Sequence, residues 1–325
     1  MKVKVSISAV LLMSAALLQS AWAASSVSPL VSPEWLNEHK AEVTILQITS
    51  KADSFTKAPE VKKVDGKIVV KKVSGHVPGA SLVDFGKVRV SREVAGKKVK
   101  KLIPLKSDFE KLAQSWGVNK DSTIVLVPVG LNTGDVNQAA RLYWQFKYYG
   151  QTNMAILDGG MAAWLAAGYP AATDAPSTKP GNWVATGEDK QIMANYSDVK
   201  AALSGKSVQL ADARPQNQYM GVFTKKGELS GHLEGAKDIS PDLITTADGA
   251  SARFLPSDSY KSIWAAKGLN SDADLIAYCN TGHQAAGVWF VTHELLGNKK
   301  ARLYDGSLVE FSLLGGETVN PAKLN

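Results

Sequence analysis

The chain holds one cysteine, Cys279, in the stretch DLIAYCNTGHQAAG from Asp274 to Gly287. The apolar run LIAY ends at the sulfur. Asn280, Thr281, Gly282, His283 and Gln284 follow, and an apolar, helix-like pattern resumes at Ala285. That order predicts a strand, a tight turn and a helix. Amide groups of a turn feeding a helix N-terminus lack intrahelical acceptors, and the helix dipole behind them favours an anion. Such surroundings are expected to supply the thiolate, the nucleophilic form. Thr281 and His283 offer further donors, and Gly282 permits a backbone conformation that most residues resist. A merely structural cysteine belongs inside the apolar run, not at its polar end.

Other groups that could do chemistry are fewer. Asp212-Ala213-Arg214 follows the apolar run SVQLA at a second strand end, where Arg214 either binds an anion or pairs internally with Asp212. His76 and His232 sit in two near-identical turns, SGHVPGA and SGHLEGA; since only one copy is accompanied by a cysteine, they read first as connectors. His293 falls mid-helix and reads as structural. A cysteine phosphatase needs an arginine six residues after the nucleophile to clamp phosphoryl oxygens, and Ala285 stands there. A papain-type hydrolase would open a long helix with its cysteine and is less compatible still. No Cys/His set has metal-ligand spacing, so neither metal nor organic cofactor is expected.

These residues must be positioned by elements, and the elements occur twice. YYGQTNMAILDGGMAAW (148–164) recurs as LLGNKKARLYDGSLVEF (295–311), and DSTIVLVPV (121–129) as DADLIAYCN (272–280), offset by about 150 residues. A chain of 325 residues is thus a duplicated domain. The Pro/Ala/Thr-rich segment 169–183 reads as the linker, between a first domain over 24–168 and a second over 184–325. In each copy a helix precedes an apolar strand (VTILQI; SVQLAD). A Gly-His turn, a helix, a strand (TIVLV; LIAY), a helix (from Asn137; Gln284–Leu296) and a last strand (MAILDG; ARLYDG) then follow. Continuous apolar strands between amphipathic helices predict an α/β fold: two domains, each a mainly parallel sheet with helices on both faces. Ligands bind outside the carboxyl ends of such strands, where Cys279 lies. Trp164 and Phe311 read as core.

Residues 1–23 carry Lys2 and Lys4, an apolar run from about Ala9 to Leu18 and Ala21-Trp22-Ala23, the pattern of a cleaved signal peptide. The apolar run is too short to span a bilayer. Export, with the periplasm as destination and no membrane attachment after cleavage, is the expectation. Cleavage lowers the formal charge from +7 to +5. Many lysines crowd between Lys57 and Lys106, where KKVDGKIVVKK reads as a solvated hairpin turning at Asp65-Gly66. No recognition motif accompanies the charge, so nucleic acid is not an expected partner, whereas small anions are. The oligomeric state is not legible.

The run C-x-T-G-H-x-A after an apolar strand resembles the active-site loop of the rhodanese sulfurtransferases. The paired GHxxGA turns and (L/Y)DG(G/S) endings are similar to that family's flanking motifs, from about Ser32 to about Leu314. The tandem arrangement with cysteine in the second copy resembles its thiosulfate and 3-mercaptopyruvate sulfurtransferases. That resemblance implies Cys279 as nucleophile and persulfide carrier, with Arg214, Asn280, Thr281, Gly282, His283 and Gln284 as substrate-binding residues and Asp212 and His76 as auxiliaries. It implies a small sulfur-containing anion as donor and cyanide or a thiol as acceptor. The alternative, which uses the same Cys279, is a non-turnover persulfide carrier or binding module serving a partner protein. It also implies that the cysteine-free first copy closes the second domain's site. Three positions depart from the pattern. Gln218 stands where a second arginine often follows Arg214, leaving Lys225 or Lys226 as substitutes; Thr281 takes the place of a serine; and Gln47 takes that of an aspartate that would support His76.

Overall fold

A computed structural model describes residues 27–205, 207–224 and 228–323. The expected signal peptide, Lys225 and Lys226 lie outside the described residues. The apolar runs pair as two five-stranded parallel sheets. The first contains β1 (Leu30–Val31), β2 (Thr44–Thr49), β3 (Ser81–Asp84), β4 (Ile124–Pro128) and β5 (Met154–Leu157), in the order β1-β5-β4-β2-β3. The second contains β6 (Met193–Ala194), β7 (Gln209–Asp212), β8 (Lys237–Asp238), β9 (Leu275–Tyr278) and β10 (Ala301–Tyr304), in the order β6-β10-β9-β7-β8. Adding five to each label of the first order yields the second, so the duplication read in the sequence is a duplication of topology. Leu46 lies opposite Ser81 and Leu126, and Ala211 opposite Lys237 and Ala277. Strands β4 and β9 are buried along their whole length, as strands covered on both faces must be.

The structure corrects the expected order after each Gly-His turn. A strand, not a helix, comes first: β3 in one copy and β8 in the other. Both are short edge strands, and β3 alternates buried and half-buried residues, so neither shows a continuous apolar run. Each is followed by a hairpin, Val90–Val94 with Lys97–Leu102 and Thr245–Asp248 with Ser251–Phe254, and only then by a helix, Lys106–Ser115 or Ser257–Ala266. The lysine-rich hairpin pairs Glu60–Val64 with Lys67–Lys72. Asp65 (φ 48°) and Gly66 (φ 79°) turn it, as a two-residue loop that matches strand twist requires. The helix after β9 is α-helical over His283–Phe290 and continues as a π turn, Val291–Leu295. The linker ends tied to the first domain: the buried Trp183 donates from Nε1 to Gln151 Oε1 at 2.9 Å.

The helices Thr133–Tyr148 and His283–Phe290 pack against each other, and one apolar core runs through both domains. Tyr143 and Phe290 meet edge to face at 5.0 Å. At the crossing a Cβ on Gly287 would lie 2.0 Å from Asn137 Oδ1, so the helices approach this closely only because residue 287 has no side chain. Trp164 and Phe311 are both core residues. Among the described residues no helix is long and apolar enough to cross a membrane.

Candidate active site at the cysteine loop

Strand β9 delivers Cys279 to the carboxyl edge of the second sheet, 2 % exposed. The loop after it is clamped by the turn that follows β10. Ser307 Oγ accepts from the amides of Cys279 (3.1 Å) and Gly282 (3.0 Å) and donates to the Tyr304 carbonyl (2.8 Å). Ser307 holds φ at 50°, a left-handed conformation uncommon for serine, and the next amides, Leu308 and Val309, donate to the carbonyls of Cys279 and Asn280. Two loop amides are therefore committed to Ser307. Those of Asn280, Thr281, His283 and Gln284 have no protein acceptor among the described residues. They remain for an anion at the sulfur, with the N-terminus of the His283–Phe290 helix behind them.

Gly282 must be glycine. Its φ is 71°, and a Cβ there would stand 2.5 Å from Arg141 Nη1 and 2.6 Å from the Asp305 carbonyl oxygen. Arg141 comes from the first domain. It is fully buried, donates to the Gly282 carbonyl at 3.2 Å and forms a very short ion pair with Asp305. Asp305 also accepts from the Ile103 amide at 2.9 Å, just beyond the first domain's hairpin. The reciprocal contact exists: Asp158, at the matching Leu-Asp-Gly, accepts from the amide of Phe254, the last residue of the second domain's hairpin, at 2.9 Å. Each domain's repeated Asp-Gly thus receives the chain leaving the other domain's hairpin.

Asn280 donates to Gln218 Oε1 at 2.8 Å, tying the loop to the helix Gln216–Tyr219. His283 reaches across the interface, with Nε2 3.1 Å from the Gly134 carbonyl and its ring 4.8 Å from that of Phe85. Burial, with the Arg89 charge acting in the same direction, pushes His283 down to about 3, so the ring is neutral and donates from Nε2. Thr281 and Gln284 are half-buried on the loop and the first helical turn.

Arg214 is buried in a pair with Asp212: Nε lies 2.9 and 3.1 Å from the two carboxylate oxygens and Nη2 2.6 Å from one of them. Its Nη2 also donates to the Gly231 carbonyl at 2.5 Å. Gln47 does the same work in the first copy, donating to the Gly75 carbonyl at 2.8 Å and accepting from Val77 at 3.0 Å. The fork of Arg214 is therefore engaged in holding a Gly-His turn. The two histidines of these turns are equivalent. His76 stacks on Phe55 and His232 on Tyr219, and each Nδ1 meets the carbonyl of the ring beneath it. The polar partners of the His76 ring, Phe55 O and Asp174, lie off the cysteine loop. His293 pairs with Glu294 and stacks on Trp289.

The first copy's loop is closed on itself. Asn132 Oδ1 caps its helix through the Asp135 amide (3.0 Å), and Asp135 Oδ2 accepts from Leu131 (3.1 Å). The chain's own carboxylate fills that cradle. Sequence reading missed Ser307, Asp305 and Arg141. The first two lie inside the repeated Asp-Gly motif, which was a signal; Arg141 had none.

A model of the rhodanese-like domain matches residues 32–167 and 195–314. A protein of Haloferax volcanii named "Putative thiosulfate sulfurtransferase" is 35% identical over 222 residues, 66% of this chain and 74% of that one. "Sulfur carrier protein TtuD" of Thermus thermophilus is 30% identical over 300 residues, 88% of this chain and 94% of that one. The crystal structure of SseA from Escherichia coli, described among 3-mercaptopyruvate sulfotransferases, superposes with a TM-score of 0.68 at 22% identity, covering 86% of this chain and 99% of that one. That last likeness is one of fold.

Proposed function

The chain belongs to the rhodanese-like domain family, and on that premise we propose that it is a sulfurtransferase whose sulfur-carrying group is Cys279. The observation that supports this most is the state of the cysteine loop: a thiol at a strand end, with four neighbouring amides lacking protein acceptors and a helix N-terminus behind. In the forward half-reaction the Cys279 thiolate attacks the outer sulfur of thiosulfate. A new S–S bond forms, the donor's S–S bond breaks, and sulfite leaves with its electron pair. The persulfide's terminal sulfur is anionic, and the loop amides stabilise that charge as an oxyanion hole would. In the second half-reaction cyanide carbon, or a thiolate, attacks the terminal sulfur; thiocyanate or a persulfide departs and the Cys279 thiolate returns. The covalent intermediate makes the kinetics ping-pong. 3-Mercaptopyruvate is the alternative donor, with pyruvate as the product.

Ser307 positions the loop, and Arg141 fixes it from the other domain. Thr281, His283 and Gln284 border the donor, while Arg214 and Asp212 support the neighbouring turn. The N-terminal segment supports export of the mature protein, so we place the reaction outside the cytoplasm.

A second reading is favoured by the sulfur carrier of Thermus thermophilus, which matches over nearly the whole length of both chains. Here Cys279 loads the same persulfide but releases it only to a partner protein. Thiocyanate formation from thiosulfate and cyanide separates the two. Multiple turnovers lost in Cys279→Ala support the enzyme; a stoichiometric persulfide by mass spectrometry, without turnover, supports the carrier. Normal turnover by Cys279→Ala defeats both.

A further inference from the structure

A persulfide-forming site for a dianionic donor needs positive charge, and the arginines nearest the loop are mostly spent. Arg214 is bound to Asp212 and Arg141 to Asp305. His283 is neutral, and Gln218 is an uncharged hydrogen-bond acceptor for Asn280. Arg89, in the connection between β3 and the hairpin beginning at Val90, is different. Its guanidinium lies over the Phe85 ring at 4.3 Å, and that ring rests against His283 of the cysteine loop. No carboxylate pairs with it among the described residues, and its Nε is buried without a hydrogen-bond partner. The segment is anchored beside it, where the buried Val88 passes its carbonyl to Gln145 Nε2 at 2.7 Å.

We propose that Arg89, supplied by the cysteine-free first domain, is the anion-binding residue of the Cys279 site and holds the sulfonate or carboxylate end of the sulfur donor. The inference rests on the sulfurtransferase reading and names what that reading lacks: the cation standing in for the absent second arginine. A guanidinium stacked on an aromatic face is pre-oriented, and its fork matches an oxyanion with two parallel hydrogen bonds. Burial lowers the guanidinium to about 10, with Arg141 acting in the same direction and Cys279 and Asp305 opposing, so it is charged at neutral pH. The composite site also explains why a domain without a nucleophile stays fused to the one that has it: its hairpin connection carries the charge to the neighbour's sulfur.

The experiment uses the mature full-length protein with Arg89→Gln and Arg89→Lys. Cys279 is alkylated with iodoacetate, which is anionic, and with iodoacetamide, which is neutral. Removing one facing charge is expected to lower the iodoacetate-to-iodoacetamide rate ratio about tenfold in Arg89→Gln, with much of it restored in Arg89→Lys. A general loosening of the loop would change both rates together and leave the ratio alone. Thiosulfate kinetics should show the same pattern, KM rising about tenfold while kcat moves much less. A ratio within twofold of wild type in Arg89→Gln overturns the inference whatever the thiosulfate result. A wild-type protein that forms no persulfide from thiosulfate overturns the functional reading instead, and the alkylation ratio still decides Arg89.

Discussion

Arg141→Met tests whether the first domain holds the cysteine loop in place. Methionine keeps most of the apolar volume beside Trp144 but removes the charge. It strands the Asp305 carboxylate, which is only 6% exposed. Taking one partner from a buried ion pair costs ~3–5 kcal/mol. Asp305 keeps the Ile103 amide at 2.9 Å, which places the loss at the lower end, about 3 kcal/mol. The Gly282 carbonyl loses its donor at 3.2 Å, adding about 1 kcal/mol. The single variant should therefore unfold in urea about 4 kcal/mol more readily, followed by tryptophan fluorescence and by retained persulfide formation. Adding Asp305→Asn removes the stranded charge and should return about 2 kcal/mol, so the double variant is more stable than Arg141→Met alone. A loss below ~1 kcal/mol, or a double variant weaker than the single, would show that the pair does not couple the domains.

Three further outcomes are expected. Ser307→Ala deprives two buried loop amides of their acceptor; it should cost about 2 kcal/mol or more and slow persulfide formation, read by stopped-time mass spectrometry. Gly287→Ala drives a methyl into Asn137 at the helix crossing, for an expected loss of about 1–3 kcal/mol in thermal or urea unfolding. A Gly287→Ala protein as stable as wild type would mean the helices part without cost. Burial, reinforced by Asp305, pushes the Glu310 carboxyl up to about 7 from 4.5. Because the folded value is the higher one, its stabilising proton is fully present below about pH 4.5 and is lost as pH rises through 7, a swing of roughly 3 kcal/mol. Glu310→Gln should flatten stability between pH 5 and 8, and an unchanged slope would reject this assignment.

Much of the molecule was legible in one dimension because it rests on local chemistry. β2, β4, β7 and β9 announced themselves as continuous apolar runs, since strands covered on both faces carry no polar alternation. The duplication was visible because both copies keep the same Gly-His and Asp-Gly turns, whose backbone conformations limit which residues fit. Cys279 was conspicuous as a lone thiol where an apolar run turns polar. The edge strands β3 and β8 were not visible, being two to four residues long and half-covered.

What tertiary structure alone decided is which charges are free. In sequence only Arg214, at a strand end, stands out as an anion binder, and nothing marks Arg89 or Arg141. In the folded chain Arg214 is taken by Asp212, two residues away, and Arg141 by Asp305, 164 residues away, while Arg89 meets an aromatic face and, among the described residues, no carboxylate. Likewise Ser307 reaches the cysteine loop only because β10 lies beside β9. Periodicity and turn chemistry report on neighbours along the chain. A buried charge or hydroxyl is settled by whichever partner the packing of distant elements brings within about 3 Å, and that is a property of the fold.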